Sequence, residues 1–166
     1  VLAAGSDPLE VTALSLHAFF GLEHRYELLE VGTSVGRQYG PRVVATTPME
    51  IADLEGKLVA LPGPLTTAAL AAHALLPEFD AVHMDFTEIS DAVLSGRVDA
   101  GILIHEGQLT FQDQGLHLVV DLGEEFARRH GGLPLPLGVN CVRKDLAPDL
   151  KKTLAAAYRR SVEIAM

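Results

Sequence analysis

The segment Asp99-Ala100-Gly101-Ile102-Leu103-Ile104-His105-Glu106 runs a short apolar stretch directly into two ionisable side chains. A brief, nearly continuous apolar run suits a strand buried on both faces, and Val98 to Ile104 is read as one. In open α/β sheets the carboxyl ends of such strands open onto the ligand crevice, which places His105 where proton transfer is commonly carried out. An imidazole exchanges a proton near neutral pH, the property a general base needs. The same side chain would also serve by hydrogen-bonding a loop carbonyl at the strand end, and the residues alone leave both roles open. Glu106 is in reach to orient the ring, but neighbouring strand residues point to opposite faces, so its role is read as structural.

A second group with chemical potential is Leu61-Pro62-Gly63-Pro64-Leu65-Thr66-Thr67, a strand-loop-helix junction with two hydroxyls at a helix start. Unpaired amides and the helix dipole make such a terminus a seat for an anion, and a carboxylate would suit it. The plain alternative is N-capping by Thr66 or Thr67. No Gly-Lys-Ser/Thr follows the glycine, so this is not a phosphate-binding P-loop. His105-Glu106 begins like a zinc-protease helix, but the residue four beyond the histidine is Leu109, which cannot be the second ligand. No metal site is therefore expected. No Gly-x-Gly-x-x-Gly pattern occurs, which removes the usual dinucleotide-binding reading. His17, His24, His73, His83, His117 and His130 are scattered and read as surface or core residues, and Cys141 as a small buried strand residue.

The elements that must hold these groups follow from periodicity and breakers. Asp7-Pro8-Leu9-Glu10 combines a cap residue, a first-turn proline and an acid three residues on, which announces a helix bearing Leu14, Ala18 and Phe19 on one face. Gly32, Gly36 and Gly40-Pro41 make Glu30 to Arg42 a loop, with a strand from Arg42 to Ala45. Strands are expected at Lys57 to Leu61, Ala81 to Asp85, Leu116 to Leu122 and Val139 to Arg143. Helices are expected at Thr66 to Leu76, Glu88 to Ser95, Glu124 to His130 and from Leu146 onward. Gly131 to Gly138, with prolines at 134 and 136, is expected to be an ordered loop. Strands alternating with helices indicate an α/β fold with a largely parallel sheet.

Composition narrows the function. Apolar residues make up 48% of the 166, enough to form a core and to exclude general disorder. Thirteen Lys and Arg against 22 Asp and Glu leave a formal charge of -9, the wrong sign for affinity built on phosphate backbones, so nucleic acid is not an expected partner. No apolar stretch approaches the roughly 18 residues that suggest a membrane span, and no membrane association is expected. A single cysteine forms no internal disulfide, which favours the cytoplasm.

Several stretches in one order carry a family likeness: Leu14-Ser15-Leu16-His17-Ala18, Gly36-Arg37-Gln38-Tyr39-Gly40-Pro41 and Pro62-Gly63-Pro64-Leu65-Thr66-Thr67-Ala68. They continue with Gly101-Ile102-Leu103-Ile104-His105-Glu106, Val119-Val120-Asp121-Leu122-Gly123 and Gly132-Leu133-Pro134-Leu135-Pro136-Leu137-Gly138. Together they resemble the futalosine-pathway menaquinone biosynthesis family, on the side of its 1,4-dihydroxy-6-naphthoate synthases. The resemblance implies a fold like type 2 periplasmic binding proteins: two α/β lobes with mostly parallel sheets and the ligand between them. Residues 1–45 and 138–166 would form part of lobe I, and 46–137 lobe II.

The implied reaction is a carbon-carbon lyase step, cleavage of cyclic dehypoxanthinyl futalosine to 1,4-dihydroxy-6-naphthoate, with no metal or organic cofactor. His105 matches the family's proton-abstracting histidine. Ser15, Thr66 and Thr67 match positions that hold polar groups of the small carboxylate substrate, while Arg37 is read as a surface side chain. Two other readings use the same scaffold: a non-catalytic solute-binding protein for a small carboxylate, and the sister chorismate dehydratase. The family's opening Ser-Pro-Cys-Pro-Asn-Asp turn has no counterpart after Val1, and the chain stops within a helix at Met166, so a fragment with an incomplete first lobe is expected. Leu65 and Gly107-Gln108 also depart from residues that some members carry at these places.

Overall fold

The computed structural model describes residues 8–165. In chain order its regular elements are β1 (Val11–Ser15), α1 (Leu16–Phe20), β2 (Tyr26–Leu28), β3 (Ser34–Gly36), β4 (Arg42–Ala45), β5 (Leu58–Leu61) and α2 (Thr67–Leu75). There follow β6 (Asp80–His83), α3 (Ile89–Leu94), β7 (Ala100–Leu103), α4 (Gly107–Thr110), β8 (His117–Asp121), α5 (Leu122–Arg129), β9 (Leu135–Arg143) and α6 (Pro148–Ala165). Two compact units result. Gly36–Leu135 makes one, and the segments ending at Val35 and beginning at Pro136 make the other. Strand β4 pairs wholly within the Gly36–Leu135 unit, so the division precedes it.

The Gly36–Leu135 unit is built on a five-stranded sheet in the order β6-β5-β7-β4-β8. β6, β5 and β7 run parallel, whereas β4 is antiparallel to both β7 and β8. Val43, Val44, Val59, Ala60, Leu61, Ile102 and Leu103 are buried, as expected for strands covered on both faces. α3 packs Ile89 and Val93 so close to β7 that a Cβ on Gly101 would come within 2.5 Å and 2.8 Å of their methyls. α2 packs against α5, and Arg129 of α5 donates to the Leu75 carbonyl at the end of α2 (2.6 Å), meeting one of the acceptors a helix end leaves open.

In the other unit β9 is the central strand, with β1 and β2 antiparallel on its two sides and β3 also paired to it. Leu14, Tyr26, Val139 and Cys141 form its core, with Leu16, Phe19 and Leu22 packed on them. Tyr26 is fully buried, and its hydroxyl donates to the Leu9 carbonyl (2.8 Å). α6 joins β2 and the loop after it through Lys151–Glu27 (3.0 Å) and Arg159–Glu30 (3.2 Å).

Three expectations are corrected. Val11–Ser15 is a strand, not part of a helix, because it finds a complete antiparallel register on β9 from Val11↔Val142 to Ser15↔Gly138. Residues 8–10 precede it without helical structure, and the cap assigned to Asp7 lies outside the described residues. The sheets are also less parallel than expected: β1–β9 and β2–β9 are antiparallel, and the larger sheet is mixed. Finally, Leu135–Gly138 opens β9 rather than ending a loop, since a proline near the start of a strand deprives the ladder of little.

Candidate active site

The carboxyl edge of the five-stranded sheet gathers the chemistry-bearing residues of the Gly36–Leu135 unit. The parallel registers Ala60↔Gly101 and Leu61↔His83 bring β5, β7 and β6 to an end on the same side. There β5 continues into Pro62–Thr66 and α2, β6 into Phe86, and β7 into His105 and α4. Because β4 runs the other way, Arg42 begins where β7 and β8 finish, opposite Leu103 and Asp121. This is the edge at which α/β sheets habitually bind ligands.

β7 stops at Leu103, so His105 lies in the turn before α4 rather than on the strand itself. Its side chain is exposed, with the ring 4.9 Å from that of Phe86 and tilted to it by 53°. Its φ is +55°, in the left-handed region. Among the described residues only Gln38 shares that conformation without being glycine. For a residue with a Cβ this costs on the order of 1 kcal/mol or more, and surrounding structure must hold it.

Gln108 does so from both sides. Its amide donates to the His105 carbonyl (3.2 Å), while its carboxamide, oriented to satisfy both ends, accepts from the His105 N–H (3.0 Å) and donates to the Gly40 carbonyl (2.6 Å). Glu106 immediately precedes α4, and its carboxylate makes no hydrogen bond to His105 among the described residues; its carbonyl accepts from Leu109 N–H (2.9 Å).

Arg42 anchors the same turn. One guanidinium nitrogen donates to the Gln108 carbonyl (2.8 Å), Nε donates to Asp121 (3.3 Å), and the group lies over the Phe111 ring, 5.7 Å from its centre. Asp121 is only 3% exposed, and its other oxygen accepts from the N–H groups of Gly123 (2.9 Å) and Glu124 (3.2 Å), capping α5. Gly40 and Gly123 approach so closely that a Cβ on Gly40 would sit 2.7 Å from the Gly123 nitrogen.

The sequence-derived site residues are distributed as follows. His105 and the Thr66–Thr67 junction stand at the ends of neighbouring parallel strands. Thr66 acts as the N-cap of α2: its hydroxyl donates to the Gly63 carbonyl (2.8 Å) and accepts from Ala69 N–H (3.1 Å), while Thr67 is buried in the first turn. Ser15 belongs to the other unit, half-buried at the end of β1 opposite Gly138. Arg37 is exposed. Among the described residues no group of three or more His, Cys, Asp or Glu side chains could hold a metal ion, and no helix is long and apolar enough to cross a membrane.

A family model described as menaquinone biosynthesis matches residues 3–166. The chain belongs to the menaquinone biosynthesis family. Two curated relatives are named 1,4-dihydroxy-6-naphthoate synthase. That of Thermus thermophilus is 41% identical over 158 residues, covering 95% of this chain and 57% of the relative. That of Streptomyces coelicolor is 39% identical over 146 residues, covering 84% and 51%. The chain thus spans about half the length of the curated relatives it matches.

Among solved structures, protein AF1704 from Archaeoglobus fulgidus aligns with a TM-score of 0.88 and 44% identity over 94% of this chain and 58% of that one. Holo ArgBP from T. maritima aligns with a TM-score of 0.63 at 16% identity, over 95% of this chain and 66% of that one. The latter is a likeness of fold alone.

Arg42 carries no chemical signal in the sequence, Gln108 stands out only as a departure from some family members, and Asp121 only within a family-like stretch. Arg42 looked like the first residue of a strand, and nothing local marks a partner 79 positions away. The one available signal was the conjunction of Asp121 and Gly123 with Gly40-Pro41, both quoted for the resemblance but at separate points of the chain.

Proposed function

We propose that this chain is part of a cytoplasmic lyase of menaquinone biosynthesis that cleaves cyclic dehypoxanthinyl futalosine to 1,4-dihydroxy-6-naphthoate, with His105 as general base. The observation that carries the reading is an exposed imidazole at the carboxyl edge of the parallel strands, in a chain 41% identical to a synthase of that name. Such a base must reach a substrate proton directly and be neutral when it does so. His105 meets the first need by standing clear of the strand in a turn held by its neighbours, so that little reorientation is needed on binding.

The substrate carboxylate is assigned to the start of α2, one strand away, where the helix dipole favours an anion. Thr66 caps that terminus, and on the family resemblance Thr66 and Thr67 are proposed to hold polar groups of the substrate there. Ser15 is proposed as a further substrate contact on the family resemblance.

The test uses the full-length protein incubated with cyclic dehypoxanthinyl futalosine and assayed by mass spectrometry. Release of 1,4-dihydroxy-6-naphthoate is expected, and His105→Ala should slow it by at least about a hundredfold with the fold retained. Wild-type turnover in His105→Ala would overturn the assignment of the base. Product from chorismate alone would redirect the reading to the sister dehydratase, and binding without product to a solute-binding role.

A further inference from the structure

The exposed imidazole proposed as the base sits on a backbone that a histidine does not adopt without restraint, and the restraints converge on one side chain. Gln108 closes a ring of hydrogen bonds with His105, accepting its N–H through the side chain and donating to its carbonyl through the main chain. The same carboxamide ties this turn to the Gly40 carbonyl, in the loop that leads into β4. Arg42, the first residue of β4, returns the link by donating to the Gln108 carbonyl while held by buried Asp121. The turn after β7 is therefore fastened to β4, and through Asp121 to the start of α5, by hydrogen bonds that do not involve the imidazole.

We propose that Gln108 is a positioning residue for His105: its carboxamide holds the left-handed backbone that aims the imidazole, with Arg42 and Asp121 as its anchor. This rests on the assignment of His105 as the base. A change here acts on the orientation of the base rather than on ligand affinity, so it lowers kcat and leaves KM in place. Gln108→Met keeps length and helix preference and removes both side-chain hydrogen bonds. Gln108→Glu keeps an acceptor for the His105 N–H and loses the donor to Gly40.

The experiment compares both variants, His105→Ala and the double variant Gln108→Met/His105→Ala in the full-length protein. Three measurements are made: turnover of cyclic dehypoxanthinyl futalosine, thermal melting, and hydrogen exchange of the His105 amide by NMR. Gln108→Met is expected to exchange the His105 amide at least about tenfold faster, to lose about tenfold or more in kcat with KM within about twofold, and to melt within a few degrees of wild type. Gln108→Glu should recover part of the lost kcat. In the double variant the residual rate should equal that of His105→Ala, because a residue acting only through the base has nothing left to act on.

Unchanged exchange or unchanged kcat in Gln108→Met overturns the proposal. So does a loss shared with KM or melting, or a further drop in the double variant. Should Gln108→Met fail to fold, Gln108→Glu decides on the same criteria, with a smaller expected loss. The amide exchange is read without substrate, so a wild-type protein that makes no naphthoate, or a His105→Ala variant that keeps turnover, counts against the lyase reading. An absent exchange effect counts against the role of Gln108.

Discussion

At the scale of single residues, the groups around His105 differ in how they treat charge. Asp121 is almost fully enclosed yet satisfied by two backbone N–H groups and the Arg42 guanidinium. Arg42 is 31% exposed, so solvent shares the interaction, and Arg42→Ala is expected to destabilise the fold by about 1–2 kcal/mol rather than by the larger amount a wholly buried pair would forfeit. Denaturant unfolding checks this, and a change below a few tenths of a kcal/mol would show that the pair is ornamental. Cys141 contrasts with these: it is buried in β9, and burial raises its thiol to about 11. It stays protonated at neutral pH and is expected to resist a thiol reagent in the native protein, reacting only after denaturant is added. Rapid native labelling would show that β9 opens readily.

Elements were legible where their signals are local. α2, α3 and α5 emerged near their observed places because breakers and apolar periodicity lie within each segment: Thr66 caps α2 and Gly96 at φ +70° follows α3, whereas Asp121, expected within a strand, proves to cap α5. Thr66→Ala is accordingly expected to cost about 1 kcal/mol in melting experiments, and Thr66→Ser much less.

α5 also carries an acid-sensitive cluster of one carboxylate and two guanidinium groups. Glu125, 5% exposed, hydrogen-bonds Arg128 (2.6 and 2.8 Å) and Arg129 (2.6 Å). The Arg128 hydrogen bond is the main cause that brings its carboxyl down from 4.5 to about 2; burial opposes it and Arg129 adds to it. A folded-state value below the unfolded one means this stabilisation is complete above about pH 4.5 and disappears as the pH falls towards about 2. Glu125→Gln should therefore be less stable than wild type at pH 7, with the gap in melting temperature closing between pH 4.5 and 2. A gap independent of pH would contradict the pairing.

For the whole molecule, each unit has its own core, and the chain passes from one to the other at Val35/Gly36 and again at Leu135/Pro136. Within the larger unit, distant segments meet with no room to spare. A Cβ on Gly123 would collide with the Tyr39 carbonyl group and approach the Gly40 nitrogen to 2.7 Å. Gly123→Ala is expected to destabilise by more than about 2 kcal/mol, since backbone rather than a flexible side chain must yield. A melting temperature within one or two degrees of wild type would show that this crossing has room for a methyl group.

Read by itself, the chain determined that it folds as α/β and that His105 follows a buried strand, because periodicity and strand-end position are properties of short segments. Tertiary structure alone decided that Val11–Ser15 is a strand, that β4 runs against its neighbours, and that Arg42, Gln108 and Asp121 brace the turn of His105. The local start signal at Pro8–Glu10 lost to pairing with β9, more than a hundred residues away, since an extended segment with a waiting partner satisfies its backbone groups and a lone turn of helix does so poorly. The brace was invisible for a related reason: its hydrogen bonds join positions 42, 108 and 121, and only the strand order brings them to one edge.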